Sequence, residues 1–343
     1  MSRAFITGVE GRHLSSSERD FVRDAQPWGF ILFRRNVDTP AQVKALVAEL
    51  REAHGGNAPI LIDQEGGRVQ RLGPPHWPTY PAGAAYARLY EINQELGLEA
   101  ARLGARLIAS DLAELGIDVD CLPLADVPTA EANAVISDRA YGATAQQVAA
   151  LARAIADGLL AGGVLPVLKH LPGHGRANAD SHERLPVVAA DRAQLEATDF
   201  AAFQPLADLP LGMTAHVVYA AIDPILPATT SATVISDVIR GHIGFSGALM
   251  SDDLSMGALS GTLATRSQQA LDAGCDLLLH CNGNLAEMQE VAAEAPELAG
   301  EAARRASAAL AMRGKPEAFD REEVRVRFAG MMSKVRITDQ AAT

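Results

Sequence analysis

Three features of this 343-residue chain predict an α/β fold, a single (β/α)8 TIM-type barrel. Short apolar runs alternate with longer Ala/Leu-rich stretches, a rhythm that builds a parallel sheet with helices packed on it. Most of the runs are continuously apolar, as expected of parallel strands covered on both faces. Polar residues gather where those runs end.

Taken in order, the strand candidates are Ala4–Val9, Gly29–Phe33, Ile60–Asp63, Ile117–Leu122, Leu165–His170, Leu211–Val217, Ala248–Asp252 and Asp276–His280. Helical stretches between them include Thr39–His54, Glu91–Leu115 and Thr144–Ala161. An open doubly wound sheet is the alternative. No Gly-x-Gly-x-x-Gly follows a strand and no P-loop is present, so its nucleotide-binding form lacks support. Beyond about residue 283 the chain is helical and increasingly charged, with Arg321–Arg327 expected as a solvated face and Thr338–Thr343 as a frayed tail. No long Pro/Ser/Gly linker, charge block or short repeat divides it. Residues 1–343 are therefore expected to form one barrel domain with a helical C-terminal portion.

Composition narrows the function. With 48% hydrophobic and 21% charged residues, the chain is neither collagen-like, disordered nor a disulfide scaffold. A formal charge of -12 argues against general affinity for nucleic acid or anionic membrane, which reward Lys and Arg clusters. Cys121, Cys275 and Cys281 are odd in number and lack metal-ligand spacing, so they read as buried small side chains. The N-terminus lacks a secretory signal and no stretch reaches the length of a membrane span, so the chain is expected in the cytoplasm.

Asp63, Lys169, His170, His216, Asp252 and Asp253 each sit at the C-terminal end of a strand candidate. In a barrel those ends share one rim, where active sites are built. The densest segment runs from Lys169 to His182 through Pro172-Gly173 and Gly175, a composition that makes a mobile loop. Asp180 and His182 are two apart, so on extended chain both can face the same way. A carboxylate beside an imidazole fixes its tautomer and favours its protonated form, as a general acid needs. The plain alternative is a solvated loop with Asp180 capping a turn. A metal site of His170, His174, His182 and Asp180 is a third reading, but Pro172 and Gly173 block the helix that would align the first two histidines.

At Ser251-Asp252-Asp253-Leu254-Ser255-Met256 an apolar strand ends in two carboxylates. Neighbours on an extended chain face opposite ways, so one can act on substrate while the other supports the turn. A rim carboxylate can attack a sugar's anomeric carbon. In the run Asp63 to Arg71, Asp63 can accept hydrogen bonds from two sugar hydroxyls and Arg71 can donate to others; Arg139 and Lys169 add donors.

Together these clusters resemble glycoside hydrolase family 3, most closely its bacterial β-N-acetylglucosaminidases (β-hexosaminidases) that recycle peptidoglycan in the cytoplasm. The similar stretches are Gly29–Asn36, Asp63–Arg71, Lys169-His170-Leu171-Pro172-Gly173-His174-Gly175, Asp180-Ser181-His182 and Ser251–Met256, in family order. The resemblance implies Asp252 as nucleophile, His182 as acid/base with Asp180 behind it, and Asp63, Arg71, Arg139, Lys169 and His170 as substrate-binding residues. It also implies no metal and no cofactor. The expected partner is a small carbohydrate, a muropeptide fragment, met by a monomer. Leu171 stands where the family usually has an aromatic residue, and Tyr141 where Phe is usual. Rival expectations are attack by the substrate's own acetamido group, a metal-dependent hydrolase using the His-rich loop, and a non-catalytic sugar-binding protein.

Overall fold

Eight parallel strands close into a barrel in chain order: β1 (Arg3–Thr7), β2 (Pro27–Leu32), β3 (Ile60–Ile62), β4 (Val119–Asp120), β5 (Leu165–Leu171), β6 (Leu211–Thr214), β7 (Ala248–Asp253) and β8 (Leu277–His280). β1 pairs with both β2 and β8, which removes every free edge. The computed structural model describes residues 2–129, 136–177 and 179–341, with side chains to Val335. Asn178 of the expected loop, and Ala342 and Thr343 of the expected tail, lie outside the described residues.

The continuous apolar runs have a physical outcome: the two sides of each strand bury into different cores. Ile6, Ile31, Leu61, Val119, Val167, Met213, Met250 and Leu279 join one cluster inside the barrel. Their neighbours Phe5, Phe30, Leu32, Ile62, Leu168, Leu249 and Leu278 join a larger cluster between barrel and helices. Each such fully buried side chain is worth about 1.5–3 kcal/mol.

Helices α1 (Ser16–Ala25), α2 (Pro40–His54), α3 (Gly83–Ile92), α4 (Gln94–Leu115) and α5 (Ala145–Ala161) form much of the outer layer. All but α3 begin at a side-chain cap. Ser15 and Glu18 form a capping box on α1, and Thr39 and Thr144 accept hydrogen bonds from Gln42 N and Gln147 N. The stretch Glu91–Leu115, expected as one helix, breaks because Asn93 leaves helical geometry and caps α4 by accepting from Leu96 N at 2.9 Å. In α5, a Cβ on Gly158 would lie 2.3 Å from the Arg102 carbonyl, so glycine is what lets α5 pack so closely on α4.

One expectation for the C-terminus changes. A helix spans Arg321–Ala341, so most of the expected tail is helical. Its first turns are largely exposed, as expected of Arg321–Arg327, and some of their charges are paired. Arg321 pairs with Asp111 and Glu114 of α4, and Arg327 with Glu99. Phe328, Met331 and Val335, three or four apart, bury as one stripe and carry those charges onto α4.

Candidate active site

The inward rows of the strands run on past the core to the C-terminal mouth of the barrel. Lys169 continues the row of Leu165 and Val167, Asp252 that of Ala248 and Met250, and Asp63 that of Leu61. Strand periodicity of two therefore delivers all three to one cavity of about 280 Å3. That volume lies near the lower end for small-molecule sites, room for about one sugar ring. Phe33, Met213 and Leu279 give it apolar wall. His170 also lines it; the peptide bond between Lys169 and His170 is cis. Arg71, Arg139, Asp180 and His182 reach the same space from loops, so all eight site residues expected from the sequence line one cavity.

On one side sits a tight ionic cluster. Lys169 Nζ lies 3.1 Å from Asp63 Oδ1 and 2.7 Å from Glu65 Oε1. Arg71 Nη2 donates to Asp63 Oδ2 at 2.7 Å, and Arg139 grips Glu65 with two bonds of 2.7 and 2.8 Å. Burial pushes both carboxyls up, but the charges of Lys169 and of Arg71 or Arg139 outweigh it and hold both below the ordinary range. Burial works against the charge of Lys169 too, and Glu65 and Asp63 overcome it, raising its pKa. The result is a rigid, charged array of donors and acceptors suited to sugar hydroxyls. The hairpin Gln64–Gly66/Val69–Gln70 folds Arg71 back onto Asp63. Gln64 locks it there, its side-chain oxygen accepting from Arg71 N at 3.0 Å and Leu72 N at 2.9 Å.

Asp126 organises the next segment from beneath. Its carboxylate lies 2.7 Å from His170 Nδ1 and accepts from the amides of His170 and His174 at 3.3 and 2.6 Å. Burial raises its pKa, yet the paired His170 prevails and brings it to about 2. Burial, with His170 alongside, pushes His174 down to about 4.

The two adjacent aspartates divide their work, as alternation requires. Both oxygens of Asp253 are engaged, one by the amides of Ser255 and Cys281 at 3.1 Å each, the other by Ser255 Oγ at 2.7 Å. Asp252 faces the cavity, its Oδ1 accepting from Asp253 N at 2.8 Å. Burial pushes its carboxyl up; His216, His170 and the Asp253 amide more than reverse this, and the net shift is downward. His216 is not at the mouth. It lies two residues beyond β6, buried between Thr229 Oγ1 at 2.7 Å and the Asp253 carbonyl at 3.0 Å.

Also lining the cavity, His182 has its Nδ1 2.8 Å from Asp180 Oδ1, which accepts from His182 N as well, at 2.9 Å. The ionised carboxylate accepts a hydrogen bond from Nδ1–H, leaving Nε2 to exchange protons with a ligand. Gly175 makes the turn into this loop: a Cβ there would lie 2.0 Å from the Val127 carbonyl. The metal arrangement of His170, His174, His182 and Asp180 does not assemble. No group of three such potential ligands occurs among the described residues.

Sequence reasoning passed over Glu65 and Asp126 as site residues. Glu65 carried a signal, being two residues beyond Asp63. Asp126 carried one as well, an acidic residue in the otherwise apolar Leu124–Val127. All three cysteines are buried and free, as expected.

Known proteins share this geometry's framework. The glycosyl hydrolase family 3 N-terminal domain matches residues 6–309. A β-hexosaminidase from Alkalilimnicola ehrlichii is 40% identical over 281 residues, covering 81% of this chain and 80% of its own. The structure of NagZ from Neisseria gonorrhoeae in complex with N-trifluoroacetyl-D-glucosamine superposes with a TM-score of 0.84 at 30% identity, covering 97% of each chain. A family 3 β-N-acetylglucosaminidase from Paenibacillus sp. str. FPU-7 gives 0.85 at 30% identity, over 96% of this chain and 67% of that one. A match spanning nearly the whole barrel, with this level of identity, leaves one conclusion: the chain belongs to glycoside hydrolase family 3, among its β-hexosaminidases.

Proposed function

We propose that this chain is a retaining exo-β-N-acetylglucosaminidase that removes non-reducing terminal N-acetylglucosamine from peptidoglycan fragments in the cytoplasm. Its substrates are GlcNAc-1,6-anhydro-MurNAc units with or without peptide, and it works as a monomer. The observation that carries the reading is that one sugar-sized cavity is lined both by Asp252, a carboxylate without a cationic side-chain hydrogen bond among the described residues, and by the His182–Asp180 dyad. The gonococcal relative's complex with an N-acylglucosamine analogue supports the choice of sugar.

In the first step, ionised Asp252 attacks the anomeric carbon as the bond to the leaving oxygen breaks. Protonated His182 delivers its Nε2 proton to that oxygen. In the second, neutral His182 takes a proton from water, the water oxygen attacks the anomeric carbon, and Asp252 departs. Two inversions give net retention. Asp180 holds the tautomer through both steps. The array of Asp63, Arg71, Arg139, Lys169 and His170 grips the sugar hydroxyls.

The test is trapping with a fluorinated glycosyl donor followed by peptide mass spectrometry. An adduct on Asp252 is expected; turnover with no adduct would favour attack by the substrate's acetamido group. Kinetics on matched glucoside and N-acetylglucosaminide substrates measures the acetamido preference.

A further inference from the structure

Ser181 sits between the two members of the dyad and behaves unlike either. Asp180 and His182 have side chains 33% and 69% exposed, whereas Ser181 is 3% exposed. Asp180 to Arg184 form a turn, with Glu183 N and Arg184 N both donating to the Asp180 carbonyl, and this turn packs Ser181 into the buried wall of the cavity. There its Oγ meets Nε2 of His174, 3.1 Å away. His174 is itself 3% exposed, and its backbone is pinned by Asp126. His174 Nδ1 has no hydrogen-bond partner among the described residues, so the contact to Ser181 is the polar use this ring makes of them.

The surroundings are built for docking. Ala177 and Ala179 are buried, and the Ser181 carbonyl accepts from Ala258 N at 3.1 Å. Arg176 Nε bonds Asp199 at 2.7 Å at the root of the loop. Of all these contacts, the serine–histidine bond is the side-chain contact made from within the tripeptide to the barrel side.

We propose that Ser181, through His174, is the positioning residue of the acid/base dyad: the bond fixes how the turn sits against the cavity wall, and so where His182 delivers its proton. This rests on the role proposed above for His182. Misplacing a catalytic group by about 1 Å costs on the order of 10²-fold, and only where that group is needed.

The experiment compares kcat/KM for two N-acetylglucosaminides, one with a 2,4-dinitrophenolate leaving group that needs no proton and one with a poor alkoxide leaving group. Ser181→Ala is expected to lose about 10²-fold on the poor leaving group and less than about threefold on the good one. It should add no further loss in a His182→Ala background. His174→Leu removes the same bond from the other side and is held to the same criterion, while His174→Gln, which keeps a side-chain N–H, should restore most of the activity. Thermal melts establish which variants fold, and the kinetic comparison is made on those. Equal losses on both substrates, no loss on either, or losses that multiply in the double variant would overturn the proposal. If His182→Ala itself shows no leaving-group dependence, the acid/base reading falls. If it does and Ser181→Ala does not, the positioning role alone falls.

Discussion

The main-chain carbonyl of His182 accepts a hydrogen bond from the amide of Gly257, 3.2 Å away. This joins the dyad's loop to the turn that follows Asp252. Because the contact is backbone to backbone, it survives replacement of either side chain. His182→Ala should therefore keep the loop docked, with amide exchange at Gly257 and Ala258 within about twofold of the parent. A much faster exchange there would show that the imidazole, not the backbone, holds the loop.

Asp180 has two hydrogen bonds to one residue, and its pKa is lowered because those bonds and the His182 charge exceed the opposing effect of burial. It stays ionised across the neutral range and keeps Nδ1 protonated. Asp180→Asn reverses that preference, since an amide can donate to Nδ1. Turnover of poor leaving groups should fall by about 10²–10⁴-fold, with a much smaller effect on dinitrophenyl glycosides. Similar losses on both would mean the aspartate only shapes the loop.

Lys169 is almost fully buried between two carboxylates. Removing its charge leaves Asp63 and Glu65 sharing less compensation in a dry site. Lys169→Met should cost roughly 3–5 kcal/mol, read as a lower urea midpoint at unchanged slope. A neutral result would mean that Arg71 and Arg139 suffice for the two acids.

Stability should fall with acid in two stages. His174 is held neutral, with a pKa near 4 in the folded chain. The unfolded chain takes up that proton first, from about pH 6.5 downward, so the contribution is complete above that pH and is lost between about 6.5 and 4. Asp126, at about 2 when folded, contributes above its unfolded value near 4 and loses that between about 4 and 2. Asp63 and Glu65, also lowered, act in the same direction. Urea midpoints measured from pH 8 to 3 should show both stages, and His174→Gln should shrink the first. A midpoint that rises on acidification would contradict the assignment.

All eight barrel strands lie where apolar runs placed them, with ends differing by a few residues, because a strand buried on both faces must be apolar throughout. The break at Asn93 was not legible in the same way, because both flanking segments have good helical composition and a single side-chain cap decides the matter. His216 was expected at a strand end like the others, yet β6 stops at Thr214 and the residue is held instead by Thr229 and the Asp253 carbonyl.

By itself the sequence determined the barrel and the row of polar residues at its rim, since both depend on periodicity; the dyad instead sits on a turn that Asp180 caps, accepting from His182 N, rather than on extended chain. Tertiary structure alone decided the partners. Lys169 finds Asp63 across 106 positions, Arg139 finds Glu65 across 74, and Asp126 reaches His170 across 44. No local pattern encodes such pairs. Closing the barrel brings together strand ends that are remote in the chain, and low solvent access at its mouth makes each buried charge depend on the others.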